Sequence, residues 1–386
     1  MRPARRIERI PPYLFAELER KIAERKAAGV DVISLGIGDP DMPTPPNVVE
    51  AMVRAVQDPG THQYPSNRGR PEFREAVRSF YRARFGIELD PETQVMAAIG
   101  GKECIFNISF AFLDAGDVAL AADPGYPPYT GGPLIAGAEP VLMPLVPERG
   151  FVPDLSAIPA AAAARARLMF VNYPNNPTGA VAPDGFFAEV VEFAHAHDLL
   201  VVHDSAYSEL TFDGYVAPSF LATPGAMDVG VEVFSLSKGW NMTGWRCAAI
   251  VGNADAIAAY WRLKTNIDSG LFDAIQLAGA EALTGPKDSV WEMCAIYARR
   301  RDLVIGALRE IGIELERPRG TIYVWAPVPS GHTSASFAEE VLEQSGVVVS
   351  PGSAYGPNGE GFFRISLTVP DERLAEAVER MRGSLS

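Results

Sequence analysis

Between about residue 70 and residue 260, short apolar runs alternate with segments patterned like helices. The runs are Val95–Ile99, Val118–Ala121, Pro140–Leu145, Leu168–Val171, Leu199–Val202, Val231–Phe234 and Ala248–Val251. Such short, continuously apolar runs read as strands buried on both faces. Helices expected over Pro71–Phe85, Cys104–Phe112 and Phe186–His197 supply the crossovers that parallel strands need. This patterning restricts the chain to an α/β fold, with a mainly parallel sheet covered by helices on both faces. Ligands of such sheets bind beyond the carboxyl ends of the strands, so the polar turns there are where chemistry is expected.

The flanking regions are patterned differently. A helix is expected from Pro12 to about Ala28, then a strand running into Gly36-Ile37-Gly38-Asp39-Pro40-Asp41, then a helix over Asn47–Val56. Beyond Asp255 come helices over Asp273–Leu283 and Asp288–Glu310, strands over Thr321–Trp325, Val347–Val349 and Phe362–Leu367, and helices over Phe337–Gln344 and Glu372–Arg382. We expect a large domain over residues 48–285 and a smaller α+β domain built from both chain ends, 1–47 and 286–386. The alanine run Ala160–Ala164 is expected on a helix surface.

Composition narrows the partners. The formal net charge of the 386 residues is −14, which argues against nucleic acid or an anionic membrane as the main partner. Cys104, Cys247 and Cys294 are too few and too scattered for a disulfide framework. The histidines show no ligand spacing; His195 and His197 would point to different faces of a helix. No apolar run reaches the length of a membrane span, and Arg2, Arg5 and Arg6 lead into Pro11-Pro12 rather than an apolar stretch. No metal is expected, and the expected compartment is the cytoplasm.

The strand-end turns carry the chemistry. Lys238 lies just past Val231–Phe234, in Ser235-Leu236-Ser237-Lys238, with Arg246 following in Gly244-Trp245-Arg246. An amine held at a strand end suits Schiff-base formation with an aldehyde cofactor. Asp204 ends another strand and can pair with a protonated ring nitrogen. Tyr207 and Asn176 can bond a ring hydroxyl. Gly101 and Lys102, with Ser235, Ser237 and Arg246, can seat a phosphate at a helix N-terminus. Arg364, in the second domain, can clamp a carboxylate. One ligand, pyridoxal 5′-phosphate, fits them all.

At these residues the chain resembles the fold-type I, class I/II aminotransferases, and the resemblance covers nearly its whole length. The motifs are Gly38-Asp39-Pro40-Asp41, Tyr64, Asp123-Pro124-Gly125-Tyr126, Asn175-Asn176-Pro177-Thr178-Gly179, Asp204 with Tyr207, Ser235-Leu236-Ser237-Lys238, Gly244-Trp245-Arg246 and Phe363-Arg364-Ile365-Ser366. The resemblance implies that Lys238 is the Schiff-base lysine and proton carrier, with Asp204 the pyridinium partner. It implies that Tyr126 stacks on the ring, and that Asn176 and Tyr207 hold the ring oxygen. Ser235, Arg246 and the Gly101-Lys102 turn match the phosphate ligands. Arg364 matches the α-carboxylate arginine, with Gly38 a backbone contact beside it. Tyr64 resembles a tyrosine that reaches the neighbouring subunit's phosphate, which implies a homodimer.

Within the family, three stretches look most like the LL-diaminopimelate group: Ile10-Pro11-Pro12-Tyr13-Leu14-Phe15-Ala16, Gly101-Lys102-Glu103 and Tyr173–Gly179. In that group a tyrosine at the position of Tyr13 touches substrate. Two positions depart from its pattern. Gly101 stands where a serine is usual, and Ser269 stands near a usual asparagine that crosses to the partner. No arginine occurs in Lys264–Gly270 to mark an aspartate-type dicarboxylate site. The reading is an aminotransferase acting between an L-amino acid and a 2-oxo acid. The donor is open between LL-diaminopimelate, aspartate, alanine and others, and a lyase on the same scaffold is the alternative reaction.

Overall fold

The computed structural model describes residues 2–10 and 14–385, with residues 14–18 and 385 described in backbone only. Tyr13 lies outside the described residues. In chain order the strands are β1 (Ile33–Ser34), β2 (Val95–Ile99), β3 (Val118–Asp123), β4 (Glu139–Pro144), β5 (Ala166–Val171), β6 (Leu200–Asp204), β7 (Gly230–Ser235), β8 (Cys247–Gly252), β9 (Tyr323–Pro327), β10 (Val347–Val348), β11 (Ser350–Pro351) and β12 (Phe362–Ser366).

Seven strands form one sheet in the order β2-β8-β7-β6-β5-β3-β4. Strands β7, β6, β5, β3 and β4 pair in parallel, and β8 runs antiparallel to both of its neighbours. The two-residue period of a strand sorts the side chains onto two faces. Met96, Ala98, Ala119, Ala121, Leu168, Phe170, Leu200, Val202, Val231, Val233, Ala248 and Ile250 share one core cluster with Cys104, Ile105 and Ile108 of helix Gly101–Phe112. Val95, Leu120, Met169, Val201, Phe234 and Val251 face the other cluster, packed by Phe73, Val77 and Phe80 of helix Pro71–Phe85 and by Val190 and Val191 of helix Phe186–His197. Each buried aliphatic or aromatic side chain contributes about 1.5–3 kcal/mol, so both helical layers are held by the sheet.

The same alternation places the polar strand ends. Asp204 follows Leu200 and Val202 in period, and Ser235 follows Val231 and Val233. Both therefore project to the face covered by helix Gly101–Phe112. His203 and Glu232 project to the opposite face and pair there at 2.6 Å.

Several bounds differ from expectation, three of them near the polar strand ends, and one expected exposure is corrected. Strand β6 continues through His203 to Asp204, because His203 and Asp204 find ladder partners in Glu232 and Val233. The helix expected from Cys104 begins at Gly101, so Gly101, Lys102 and Glu103 form its first turn rather than a preceding loop. Strand β9 begins at Tyr323 and not Thr321, whose φ of 70° takes it out of the extended region. Ala162 and Ala163 of the short helix Ala160–Ala163 are buried, which corrects the expectation that the alanine run lies on the surface.

The chain ends meet. Strand β1 pairs in parallel with β10, Ile33 opposite Val347. A second, antiparallel sheet has the order β11-β12-β9, with Arg364 opposite Trp325. Helix Asp288–Glu310 packs on helix Asp371–Leu385. Buried Arg300 joins these parts: its fork donates to both oxygens of Asp41 at 2.7 and 3.0 Å, and its Nε donates to Asp371 at 2.6 Å. Among the described residues no helix is long and apolar enough to cross a membrane.

Candidate active site

Lys238 sits in the single-turn helix Leu236–Gly239, entered directly from β7. Ser235 caps that turn, its Oγ accepting the Ser237 N–H at 3.2 Å. The turn aims Lys238 away from the sheet, and its Nζ donates to the Gly38 carbonyl at 2.5 Å. Burial lowers the amine's pKa. Tyr323 and Asp39 oppose that shift, and Arg364 and Arg246 add to it. A lysine with a lowered pKa is available as the neutral nucleophile.

Asp204 is buried at the end of β6. Its Oδ2 accepts the Tyr129 hydroxyl at 2.8 Å, and its Oδ1 accepts the Ala206 N–H at 3.2 Å. Burial raises its pKa; the Tyr129 hydrogen bond, His203 and the Ala206 N–H pull the other way. Both hydrogen-bond donors are neutral, so among the described residues the carboxylate has no ion-paired cation. Tyr129 stacks on Phe170 at 5.4 Å and meets Tyr126 edge-on at 5.7 Å.

Asn176 is set by Asn172, whose Oδ1 accepts the Asn176 N–H at 2.8 Å and whose Nδ2 donates to the Asp204 carbonyl at 2.7 Å. This ties the turn after β5 to the end of β6. Asn176 Oδ1 accepts from Arg364 Nη1 at 2.8 Å, which joins the first sheet to β12. Arg364 Nη2 donates to the Gly36 carbonyl at 2.7 Å. The guanidinium lies 3.9 Å from the Tyr323 ring centroid and 4.7 Å from that of Tyr355. Arg364 is 3% exposed, and its Nε has no hydrogen-bond partner among the described residues. A cation buried over aromatic faces with an unmet N–H suits an incoming carboxylate.

The third group forms an anion cradle. Helix Gly101–Phe112 starts without a side-chain cap; the Glu103 N–H donates to the Gly100 carbonyl at 3.2 Å, and the N–H groups of Gly101 and Lys102 face the helix terminus where an anion binds. Arg246 crosses in front of it. A Cβ on Gly100, whose φ is 80°, would lie 2.1 Å from Arg246 Nη2. Only glycine lets the guanidinium approach the helix terminus so closely. At Gly101 a Cβ would stand 3.2 Å from Val233 Cγ1, so the tight fit against Val233 accompanies the absence of the serine usual there. Lys102 Nζ lies 5.8 Å from the Tyr126 ring centroid.

The structure thus brings together Lys238 with Gly38, Arg364 with Asn176, Arg246 with the Gly100-Gly101 turn, and Asp204 with Tyr129 and Tyr126. Tyr207 is buried, with its hydroxyl 3.2 Å from that of Tyr323. Tyr64 is 88% exposed and Ser269 is exposed, so neither is enclosed by its own chain. Sequence reasoning missed Tyr323, Tyr129 and Asn172. Spacing could have flagged Tyr129, one helical turn past Tyr126, and Asn172, at the tip of an apolar run. Tyr323 carries no local signal, since it reads as one more aromatic in a strand.

Pyridoxal 5′-phosphate fits this arrangement. The uncapped helix and Arg246 suit its phosphate, and buried Asp204 lacks the cation that a protonated ring nitrogen supplies. The amine of Lys238 is poised for its aldehyde.

Residues 30–381 match the family described as aminotransferase class I and II. The chain is 56% identical over 382 residues to a protein named LL-diaminopimelate aminotransferase from Desulforudis audaxviator, covering 99% of this chain and 97% of that one. It is 55% identical over 385 residues to a protein of the same name from Moorella thermoacetica, covering 100% and 99%. Among solved structures, apo BacF from Bacillus subtilis superposes with a TM-score of 0.96 at 38% identity, covering all of both chains.

Proposed function

The chain belongs to the class I and II aminotransferases, and we propose that its amino donor is LL-diaminopimelate and its acceptor 2-oxoglutarate. The enzyme is a transaminase of fold type I, and its cofactor is pyridoxal 5′-phosphate. The observation that supports this donor is full-length identity of 56% to a protein named for it.

When bound, the cofactor supplies an aldehyde carbon for amines and a ring that accepts the electron pair released at the substrate α-carbon. The chain's own residues do the rest. Asp204, buried at the end of β6, would pair with the ring nitrogen and hold its proton. Tyr207 and Asn176 would hold the ring oxygen, and Tyr126 would lie against the ring. The first turn Gly101-Lys102, with Ser235, Ser237 and Arg246, would hold the phosphate. Arg364 clamps the substrate α-carboxylate through a two-toothed fork, with Gly38 beside it. Lys238 Nζ, released from its contact with the Gly38 carbonyl, takes the α-proton. Tyr13 completes the substrate contacts in this reading.

The proposal extends to the assembly. Tyr64 and Ser269, both exposed, reach the second subunit's site of a homodimer. The domains divide as residues 48–285 and residues 1–47 with 286–386, and the enzyme works in the cytoplasm.

The test is a donor screen on the purified holoenzyme. LL-diaminopimelate and aspartate are each paired with 2-oxoglutarate and pyruvate, alanine is paired with 2-oxoglutarate, and the amino-acid product is measured. LL-diaminopimelate with 2-oxoglutarate should give the highest kcat/KM. An advantage of about tenfold or more for another pair overturns the substrate assignment. Ammonia release without product amino acid would point to a lyase. Sedimentation should show a dimer, and a fully active monomer removes Tyr64 and Ser269 from the site.

A further inference from the structure

Tyr323 is 3% exposed and opens β9, where its N–H donates to Thr321 Oγ1 at 3.2 Å. Its side chain lies at the junction of three site residues. The hydroxyl is 3.2 Å from that of Tyr207. The ring carries the Arg364 guanidinium at 3.9 Å. A Cβ on Gly38 would stand 2.0 Å from the same hydroxyl, so Gly38 is bare where Tyr323 reaches in, and the Gly38 carbonyl in turn holds Lys238.

We propose that Tyr323 is a positioning residue for the transamination: its hydroxyl orients the phenol of Tyr207, and its ring seats the guanidinium of Arg364. The proposal rests on the roles given above to Tyr207, Arg364 and Lys238. A hydroxyl both donates and accepts one hydrogen bond along a pair. With Tyr207 donating a hydrogen bond toward the cofactor's ring oxygen, Tyr323 would be the neighbour placed to donate to Tyr207. A donor behind a donor strengthens it. The groups that face Tyr323 support the arrangement. Burial raises its pKa, but Arg364 and Lys238 outweigh that and lower it, while Tyr207 is pushed well up, chiefly by burial. Tyr297 also faces it from helix Asp288–Glu310. Tyr207 therefore keeps its proton as a donor, with a more polar partner behind it.

Two substitutions separate the two halves. Tyr323→Phe removes one buried oxygen and keeps the ring; Tyr323→Leu removes both. The readouts on the holoenzyme are the pH midpoint of the bound cofactor's absorbance change, and kcat and KM for the amino acid. A weaker donor at the ring oxygen holds negative charge less well. Tyr323→Phe should therefore raise the midpoint by about half a pH unit and change KM by less than about threefold. Tyr323→Leu should raise the midpoint equally and raise KM by about tenfold or more. A wild-type midpoint in Tyr323→Phe overturns the proposal, as do equal KM values in the two variants. Tyr323→Phe keeps the test decisive if Tyr323→Leu fails to fold. A wild-type holoenzyme with no such absorbance band overturns the proposed function and this inference with it; a normal band that Tyr323→Phe leaves unmoved overturns this inference alone.

Discussion

Tyr129 donates its hydroxyl to Asp204 at 2.8 Å from a ring stacked on Phe170, so the carboxylate is held at the sheet end by a neutral donor fixed in the core. The arrangement aims one carboxylate oxygen and leaves its charge to be met by a ligand.

This predicts an exchange of stability for activity. Burial raises the folded pKa of Asp204, so protonation favours the folded chain. That contribution is complete below the unfolded value of 3.8 and is lost as pH rises through the raised folded value. Asp204→Asn keeps an acceptor for Tyr129 and removes the charge. Without cofactor, the variant should melt higher than the wild type, with a wider gap at pH 8 than at pH 4. Turnover should fall by about 10³-fold or more, since the ring nitrogen loses its counter-charge. Thermal scans of the cofactor-free proteins check the first claim, and a lower melting temperature for the variant at pH 8 refutes it.

Lys238→Ala removes the amine that the Gly38 carbonyl holds at 2.5 Å. The lysine is buried with a lowered pKa, so its loss should leave the fold intact. Turnover should fall on the order of 10⁴-fold or more, and the absorbance of the lysine-linked cofactor should vanish. Retained turnover sinks the assignment.

Gly100→Ala tests the anion cradle. The new methyl meets Arg246 Nη2 at 2.1 Å in a backbone with φ 80°, so the guanidinium must retreat from the helix terminus. Cofactor dissociation, followed by fluorescence, should rise about tenfold or more with kcat little changed at saturation. An unchanged dissociation constant counts against Arg246 as a phosphate ligand.

Arg300→Met tests the tie between the chain ends. Arg300 is 6% exposed and donates to Asp41, Asp371 and the Leu367 carbonyl. Its loss removes the fork to solvent-reachable Asp41 and leaves the Leu367 carbonyl unmet, which should destabilise the fold by about 1–3 kcal/mol in urea titrations. Because Asp41 ends the segment that carries Gly36 and Gly38, KM for the amino donor should rise as well. Unchanged stability shows that the fork contributes nothing net.

Much of the architecture is written in local pattern. Period and run length placed β2, helix Pro71–Phe85, helix Phe186–His197 and helix Asp288–Glu310 at their observed bounds. Polar residues at strand ends marked Lys238, Asp204 and Asn176, because parallel strands bring their carboxyl ends to one edge whatever their order, and Arg246 joins that edge at the start of antiparallel β8. Boundaries were missed where neighbours decided them. Asp204 is strand because Val233 lies opposite, and Thr321 is not strand because its backbone turns left-handed.

What the chain determined by itself is therefore an inventory: which segments are strand or helix, which face each buries, and which polar groups stand at the sheet's edge. What only the tertiary structure decided is who meets whom. Asn172 links the ends of β5 and β6, Arg364 reaches back to Gly36 and Asn176, and Tyr323 arrives from the second sheet between Tyr207, Gly38 and Arg364. Periodicity carries the orientation of a residue relative to its own element, and it contains no distance to residues far along the chain. Those distances are set when the two sheets pack and the chain ends close over the strand tips, and they place a charge, a hydroxyl and an amine within bonding reach of one another.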